Sequence, residues 1–519
     1  MSALASAGYV TDVAYVPGFY PQLAPVAVRF VATLNRVTPP SVADGFRYLE
    51  LGCGLGRSLT ALAAANPRGE FIGVDINPEH TAAIAHNIEA GGLTNARIIT
   101  SDFANLPDDI RDLQFIALHG VYSWVAPQVR ADILRIASER LAPGGLLLVS
   151  YNAMPGWAHL QPIRGILRQY AALRQGDSLQ RMRDAVTYLA FIRDQHAKYF
   201  DDNPRAAAFV DTIRSQDPRY LAHEYLNEHW TSFYFAEVAE QFGGAGLTFA
   251  GSLPVHTNFW DLCVAPGFQE LFRTTTNRLV TEAHKDFCAN TAFRWDIYAK
   301  QPRLMPGTAD RLRLADDFWF RTTRPDIHLP YSVNLGVVTS TVQGQPYEML
   351  LEKLSGKGRR LSEIVSDPDF KGFAADDLSR AVDAGVAMRL FDISVEPFVD
   401  PLPSLGNAIS LPCRFNRAML ATDLFSGRGL ALASRVTGTA LTIGDLEAAI
   451  LSEMLTSVDD DLPARVDALM ASRDRVLQRE GKPVTDPAER RQRITEAYEA
   501  FRTTILPQLE QQGVVTRGG

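Results

Sequence analysis

The chain has 519 residues, 46% apolar and 21% charged, too long for one ordinary core and too apolar for extended disorder. Its 51 Lys and Arg against 59 Asp and Glu give a formal net charge of -8 with no block of like charge, which argues against a nucleic-acid partner. Cys53, Cys263, Cys288 and Cys413 are dispersed, the N-terminus lacks a secretion pattern, and no apolar run reaches the roughly 20 residues of a membrane span. A cytoplasmic protein without an integral membrane segment, a metal site or a disulfide framework is therefore expected.

The first informative segment is YLELGCGLGRSLTALAA, residues 48–64. Its apolar run, from Phe46 to Leu51, predicts a buried strand, and 58–65 predicts a helix, so Gly52, Gly54 and Gly56 fall in the turn between them. A dinucleotide fingerprint G-x-G-x-x-G fails in both registers, because Arg57 and Leu59 stand where its third glycine belongs. What is present is Glu50 two places before G-x-G-x-G. With no pyrophosphate to seat, that pattern fits a smaller adenosyl ligand with an amino-acid tail, whose ammonium Glu50 would hold.

EFIGVD, residues 70–75, predicts a second strand ending in Asp75, where a carboxylate accepts both ribose hydroxyls. A third strand, 96–100, runs into Ser101-Asp102-Phe103, a polar and aromatic set for an adenine edge and face. QFIALHG and GGLLLVSYN predict the fourth and fifth strands, ending at His119 and at Tyr151-Asn152. Strands alternating with helices predict a parallel α/β sheet with its ligand at the carboxyl ends.

These residues carry a resemblance. From about Phe46 to Asn152 the chain resembles class I S-adenosylmethionine-dependent methyltransferases, whose cofactor motifs match the ELGCGLG turn, Asp75 and Ser101-Asp102-Phe103 in order and spacing. The resemblance implies a Rossmann-like seven-stranded sheet and S-adenosyl-L-methionine as cofactor. Its implied cofactor-binding positions are Glu50, Gly52, Cys53, Gly54, Gly56, Asp75, Ile76, Ser101, Asp102, Phe103 and His119. It also implies two closing strands, expected at 246–255 (GLTFAGSLPV) and 259–266 (FWDLCVAP).

The roughly 90 residues before them read as a helical insertion, a lid or substrate wall. Leu179, Met182, Val186, Leu189 and Ile192 recur on one helical face, and Asn203-Pro204 reads as a cap with a first-turn proline. Residues 220–235, YLAHEYLNEHWTSFYF, are dense in aromatics, and Asn227 stands where a zinc helix HExxH needs histidine. At the end of the fourth strand HGVYSWV offers His119, Tyr122 and Trp124, with Tyr151 opposite; these read either as packing or as an aromatic cage favouring a sulfonium and an amine. In the second reading Tyr122 and Tyr151 orient the acceptor and His119 takes a proton through water.

After residue 269 the alternation stops, and the segment to about 329 reads as mostly helical. Residues 346–396 suggest a winged-helix-like unit whose long helix is ADDLSRAVDAGV, and Asp486-Pro487 opens an amphipathic helix that Gly513 ends. The expected division is 1–155 with 230–268 as catalytic domain, 156–229 as insertion, 269–400 as middle domain and 401–519 as C-terminal domain.

FYPQLAP, LHGVYSWV, SYNAMPGW, HEYLNEHWTSFYFAEVAE and DFCANTAFRWDIYAK widen the resemblance to bacterial methyltransferases with a regulatory domain, which include dimeric outer-membrane-protein lysine methyltransferases. That likeness implies a protein lysine acceptor and a homodimer. A small-molecule methyltransferase and a catalytically silent cofactor-binding regulator are the alternatives.

Overall fold

The computed structural model describes residues 12, 18–305, 307–323, 327–356, 358–399, 409–457, 461–479 and 482–517. Helix α1 (Pro25–Leu34) precedes β1 (Phe46–Leu51), α2 (Arg57–Ala65), β2 (Gly69–Asp75), α3 (Pro78–Gly91) and β3 (Ala96–Thr100). Then come β4 (Leu113–Leu118), α4 (Pro127–Arg140) and β5 (Leu141–Asn152). Five insertion helices follow: α5 (Gln161–Ala172), α6 (Ser178–Asp194), α7 (Lys198–Asp202), α8 (Pro204–Ser215) and α9 (Pro218–Tyr225). The sheet is completed through α10 (Phe235–Gly244), β6 (Leu247–Leu253), α11 (Trp260–Cys263), α12 (Pro266–Thr274), α13 (Arg278–Ala289) and β7 (Phe293–Lys300).

The seven strands pair in the order β3-β2-β1-β4-β5-β7-β6. The first five are parallel and β7 is antiparallel to both β5 and β6. Period-two alternation divides the core: Phe46, Tyr48, Leu146 and Leu148 face α1 and α2, while Leu49, Leu51, Leu147 and Val149 face α4 and α10. The β1–β2 register sets Glu50 opposite Gly73 and Leu51 opposite Val74, so the acids Glu50 and Asp75 emerge at the same end of the sheet.

The structure corrects the expected seventh strand. Residues 259–266 do not form one: Trp260–Cys263 is a short helix and Pro266 starts α12. The strand is FRWDIYAK, within the segment expected to be mostly helical. Its alternation is disguised by charge, because Arg294 and Asp296 point inward. Arg294 is held by Asp296 at 2.9 Å, Asp286 at 2.7 Å and Glu282 at 3.0 Å, and its guanidinium lies over the Phe235 ring. Lys285 at 2.6 Å and Arg278 at 3.8 Å from Glu282 balance the three acids with three cations. Such a network is readable only when its partners are known, since an isolated charge in a strand signals exposure.

The insertion packs around its own core, with Met182 and Leu189 of α6 buried as the periodicity predicts. Asn203 precedes α8, but its amide donates back to the Tyr199 carbonyl rather than capping the helix.

Beyond β7 the segment 346–396 supplies a longer helix and a following strand as expected, but the sheet they join has its central strand at Trp319–Thr322, in the segment expected to be mostly helical. Strands Arg359–Arg360, Trp319–Thr322 and Phe391–Ser394 make a three-stranded antiparallel sheet against helices that include Ala375–Ala387. The C-terminal part builds a small core from Leu432, Ile450, Val466, Ile494 and Phe501 around the hairpin Leu430–Ser434 and Thr439–Ile443, and Ala61, Ala64 and Ala65 of α2 pack into it. Its last helices, Pro487–Ala500 and Leu506–Gln511, end before Gly513, whose φ of +65° suits the stop. Among the described residues no helix is long and apolar enough to cross a membrane.

Candidate active site

A cavity of about 450 Å³ opens at the carboxyl ends of β1, β2 and β4. Its floor is the glycine turn. Two of its glycines are needed for space: a Cβ on Gly52 would meet Val121 Cγ2 at 2.6 Å, and one on Gly56 would meet Ile84 Cγ1 of α3 at 2.5 Å. Gly54 faces open space at φ +55°, so its backbone is bare toward the cavity. The turn is fixed by Asp75, whose Oδ2 accepts from the Gly54 N–H at 2.8 Å and whose Oδ1 accepts from the Asn77 N–H at 2.9 Å. His80 lies 3.3 Å from the same carboxylate.

Glu50 tests whether these residues suit an adenosyl amino acid. The side chain is buried on the cavity wall, and Oε2 has no hydrogen-bond partner among the described residues. Burial, with the Asp75 charge nearby, pushes Glu50 up to about 8. An isolated carboxyl of this kind is complementary to the α-ammonium of S-adenosylmethionine. The bare Gly54 backbone and Asp75 suit its sugar, and Phe103 with Val129 its base, so the residues fit the group.

This geometry has a consequence for pH. Glu50 is largely protonated in the unliganded protein at pH 7, and an ammonium beside it favours the ionised form, so binding releases a proton. Affinity for S-adenosylhomocysteine should rise by up to about tenfold per pH unit from 6 toward 8 and level off above that. Calorimetry in two buffers of different ionisation enthalpy reads the proton directly. Glu50→Gln should abolish the slope, and a wild-type profile flat from pH 6 to 8 would refute the assignment.

Of the other expected cofactor positions, Cys53, Ile76, Asp102, Phe103 and His119 line the cavity and Ser101 does not. The Ser101 hydroxyl donates to the Asp102 carbonyl, while Asp102 Oδ1 accepts from the Asn105 N–H at 3.0 Å, which tightens the loop under Phe103.

The acceptor side departs from expectation. Trp124 lines the cavity, but Tyr122 does not. The loop after β4 turns sharply, with the Trp124 N–H donating to Val121 O at 2.8 Å, so residues 121 and 124 face the cavity and Tyr122 faces the opposite core. There the Tyr122 hydroxyl donates to Gln241 Oε1 and its ring packs on Phe233 and Phe242. Tyr151 is likewise fully buried, donating to Asp296 Oδ2 in the Arg294 network. Strand alternation explains it: Ser150 faces His119, and the next residue must face away. The orienting roles expected for Tyr122 and Tyr151 therefore do not fit the structure.

His119 is instead surrounded by residues not singled out from the sequence. Its ring stacks on Trp295 at 4.3 Å, meets the Tyr20 ring edge-on at 4.0 Å and lies near Phe293. Its Nδ1 is 2.8 Å from Ser150 Oγ, which also accepts from the Gly120 N–H. Burial lowers His119 to about 3, so the ring is neutral at physiological pH and a weak proton acceptor, contrary to the base role expected for it. Tyr20 is fixed to the cofactor side because its N–H donates to Ser58 Oγ of α2 at 3.0 Å. The FYPQLAP and FRWDIYAK motifs held this signal, but nothing local showed that they meet.

One further acid lies behind the rim. Glu224 of α9 is 7% exposed, and its Oε1 accepts from Asn152 Nδ2 at 3.2 Å and from Trp230 Nε1 at 3.4 Å. Burial pushes it up to about 7.

Fold and cavity together define a class I S-adenosylmethionine-dependent methyltransferase. Residues 49–145 match the methyltransferase domain family, and residues 217–300 match a family described as a predicted methyltransferase regulatory domain. The chain is similar in fold to PKMT2 from Rickettsia typhi in complex with AdoHcy, with TM-score 0.71 and 20% identity, covering 96% of this chain and 99% of that one. An uncharacterized Synechocystis protein is 29% identical over 98% of this chain and 99% of its own length. A tRNA (guanine-N(7)-)-methyltransferase from Alcanivorax borkumensis is 31% identical, but over only 21% of this chain and 51% of its own.

Proposed function

We propose that the methyl acceptor is the side-chain amine of a lysine in a protein. The observation that carries this reading is the neutral aromatic cluster of His119, Tyr20 and Trp295 beside the cavity. Rings favour both a sulfonium and an approaching ammonium, by about 0.5 to 2 kcal/mol each. The cofactor supplies an activated methyl group. This chain's residues then have to orient the amine, exclude water and let its proton leave.

Glu224 suits the last task. Buried, held by the Asn152 and Trp230 donors with the Arg164 charge close enough to favour its ionised form, and near enough to Tyr220 to shift it together with Tyr20, it offers a carboxylate for the incoming ammonium. The likeness in motifs to outer-membrane-protein lysine methyltransferases supports a protein acceptor, as does the whole-chain fold likeness to PKMT2.

The test is radiolabelled methyl transfer into a fractionated cell lysate, followed by acid hydrolysis of the labelled protein. Label should appear as methyl-lysine. Glu224→Gln should raise the KM for the acceptor about tenfold and flatten the rise of rate through pH 7 that ionisation of Glu224 gives the native enzyme. Label confined to metabolites or to RNA would sink the lysine reading.

We further place the enzyme in the cytoplasm, on the basis of its free cysteines, and divide it into a catalytic domain of residues 1–155 and 230–300, an insertion of 156–229, a middle domain to 400 and a C-terminal domain. The insertion's own core supports this division, as does a C-terminal core built mostly from residues 409–515, although Ala61, Ala64 and Ala65 of α2 join the latter. A homodimer is favoured by an apolar face on α12 and α13, where Phe268, Leu271, Leu279 and Phe287 are exposed and Tyr234 stacks against Phe287. A monomeric mass in sedimentation would count against it.

A further inference from the structure

Arg57, the residue that breaks the dinucleotide fingerprint, has its own task. It is the first residue of α2, directly after Gly56, and it lines the cavity. Its guanidinium, with the side chain 15% exposed, turns away from the sheet. It pairs with Asp423 at 2.8 Å and donates to Gly429 O at 3.3 Å and to Ser426 Oγ at 3.5 Å.

These partners belong to a loop whose shape is set by the C-terminal part itself. Asp423 closes the helix Arg414–Thr422, the Gly427 N–H donates to Asp445 at 3.0 Å, and a Cβ on Gly429 would meet Ile443 O at 2.8 Å. Two more attachments bracket the same region. Asn66, at the end of α2, donates to Gly438 O at 2.9 Å. Arg414 donates to the Glu89 and Ala90 carbonyls in the last turn of α3, each at 3.2 Å, and a Cβ on Gly91 would meet Phe415 at 2.8 Å. Both ends of α2 and the end of α3 are therefore held by residues 414–438. These helices flank β2 with its terminal Asp75, and Ile84 of α3 presses on Gly56. A helix as short as α2, of nine residues, depends on such packing for its order.

We infer that the C-terminal domain is an affinity element for the cofactor, holding the glycine turn in its binding shape through Arg57 and the loop 423–429. Arg57 acts in this as a positioning residue. Displacement of the loop, by a partner or by domain movement, releases the N-terminus of α2 and weakens binding. Cofactor affinity is thereby coupled to whatever the C-terminal domain docks. This inference is independent of which acceptor is methylated.

The experiment is a double-mutant cycle on the full-length protein, read as the Kd for S-adenosylhomocysteine by calorimetry. Arg57→Ala and Asp423→Ala should each raise Kd about fivefold, and the double variant should be no worse than the weaker-binding single. Reversing the pair, Arg57→Asp with Asp423→Arg, should restore at least half of the lost binding free energy. Asp423→Ala should raise the KM for S-adenosylmethionine while leaving kcat at saturation within about twofold. Circular dichroism and the unfolding midpoint identify variants that misfold, for which Asp423→Asn takes the place of the alanine. An additive double variant, or an Asp423 variant that folds and binds as the native protein does, overturns the inference. So does Arg57→Ala weakening binding while Asp423→Ala and Asp423→Asn do not, since Arg57 would then act on the cofactor directly.

Discussion

Asp75→Ala should abolish useful cofactor binding, raising Kd by about a thousandfold. The carboxylate does two things at once. It accepts from the Gly54 and Asn77 N–H groups, so its removal leaves two turn donors without their acceptor. It is also the group placed to accept the ribose hydroxyls, and each hydrogen bond to a charged group contributes about 1.5 to 3 kcal/mol. Two such bonds correspond to roughly a hundredfold to ten-thousandfold in affinity. Asp75→Asn separates the roles, because the amide oxygen can satisfy one turn donor while the charge is lost; it should fall between the native protein and the alanine variant. Calorimetry with S-adenosylhomocysteine decides it, and an alanine variant within tenfold of native would show that the acid is structural only.

Arg294→Met should be the most damaging substitution for folding. It leaves Glu282, Asp286 and Asp296 buried with one of their three cations gone, and Asp296 also loses the charge that balances its bond from Tyr151. Breaking a buried ionic group by removing one partner costs about 3 to 5 kcal/mol. The network joins α13 to β7 and, through Tyr151, to β5, so the loss falls on the antiparallel edge that closes the sheet. A lowered unfolding midpoint in urea and reduced soluble yield are expected. A midpoint unchanged from native would mean that the three acids take up protons without structural cost. Tyr151→Phe, which removes only a hydroxyl that donates to a buried carboxylate of the same network, should cost less, about 1.5 to 3 kcal/mol.

The cofactor half was legible because its chemistry is local in sequence. Glu50, the three glycines and Asp75 lie within 26 residues, and a strand that must pass directly into a helix around a ligand admits few alternatives. The same holds for the central strands β4 and β5, whose apolar runs declare burial on both faces, whereas the edge strand β3 is only half-buried. The insertion helix α6 and the C-terminal helix declared themselves by period.

The acceptor side obeyed a different rule. His119 was visible as the end of a strand, but Ser150, Phe293 and Trp295 become its neighbours only through the sheet order β4-β5-β7, and Tyr20 reaches it from before α1 through its bond to Ser58. Tyr122 and Tyr151 carried the right chemistry at plausible positions. Their direction was set by a turn of the loop and by strand parity, and both point into the core.

Taken by itself, then, the sequence determined the class of enzyme and its cofactor, through short-range constraints on backbone shape and charge. Only the tertiary structure decided which strand closes the sheet, which aromatic rings meet at the reacting end, and that the C-terminal domain grips the cofactor turn. Each of these depends on pairing between residues far apart in the chain: an inward arginine in β7 is permitted by acids on α13, and Arg57 is explained only by Asp423, 366 residues further on.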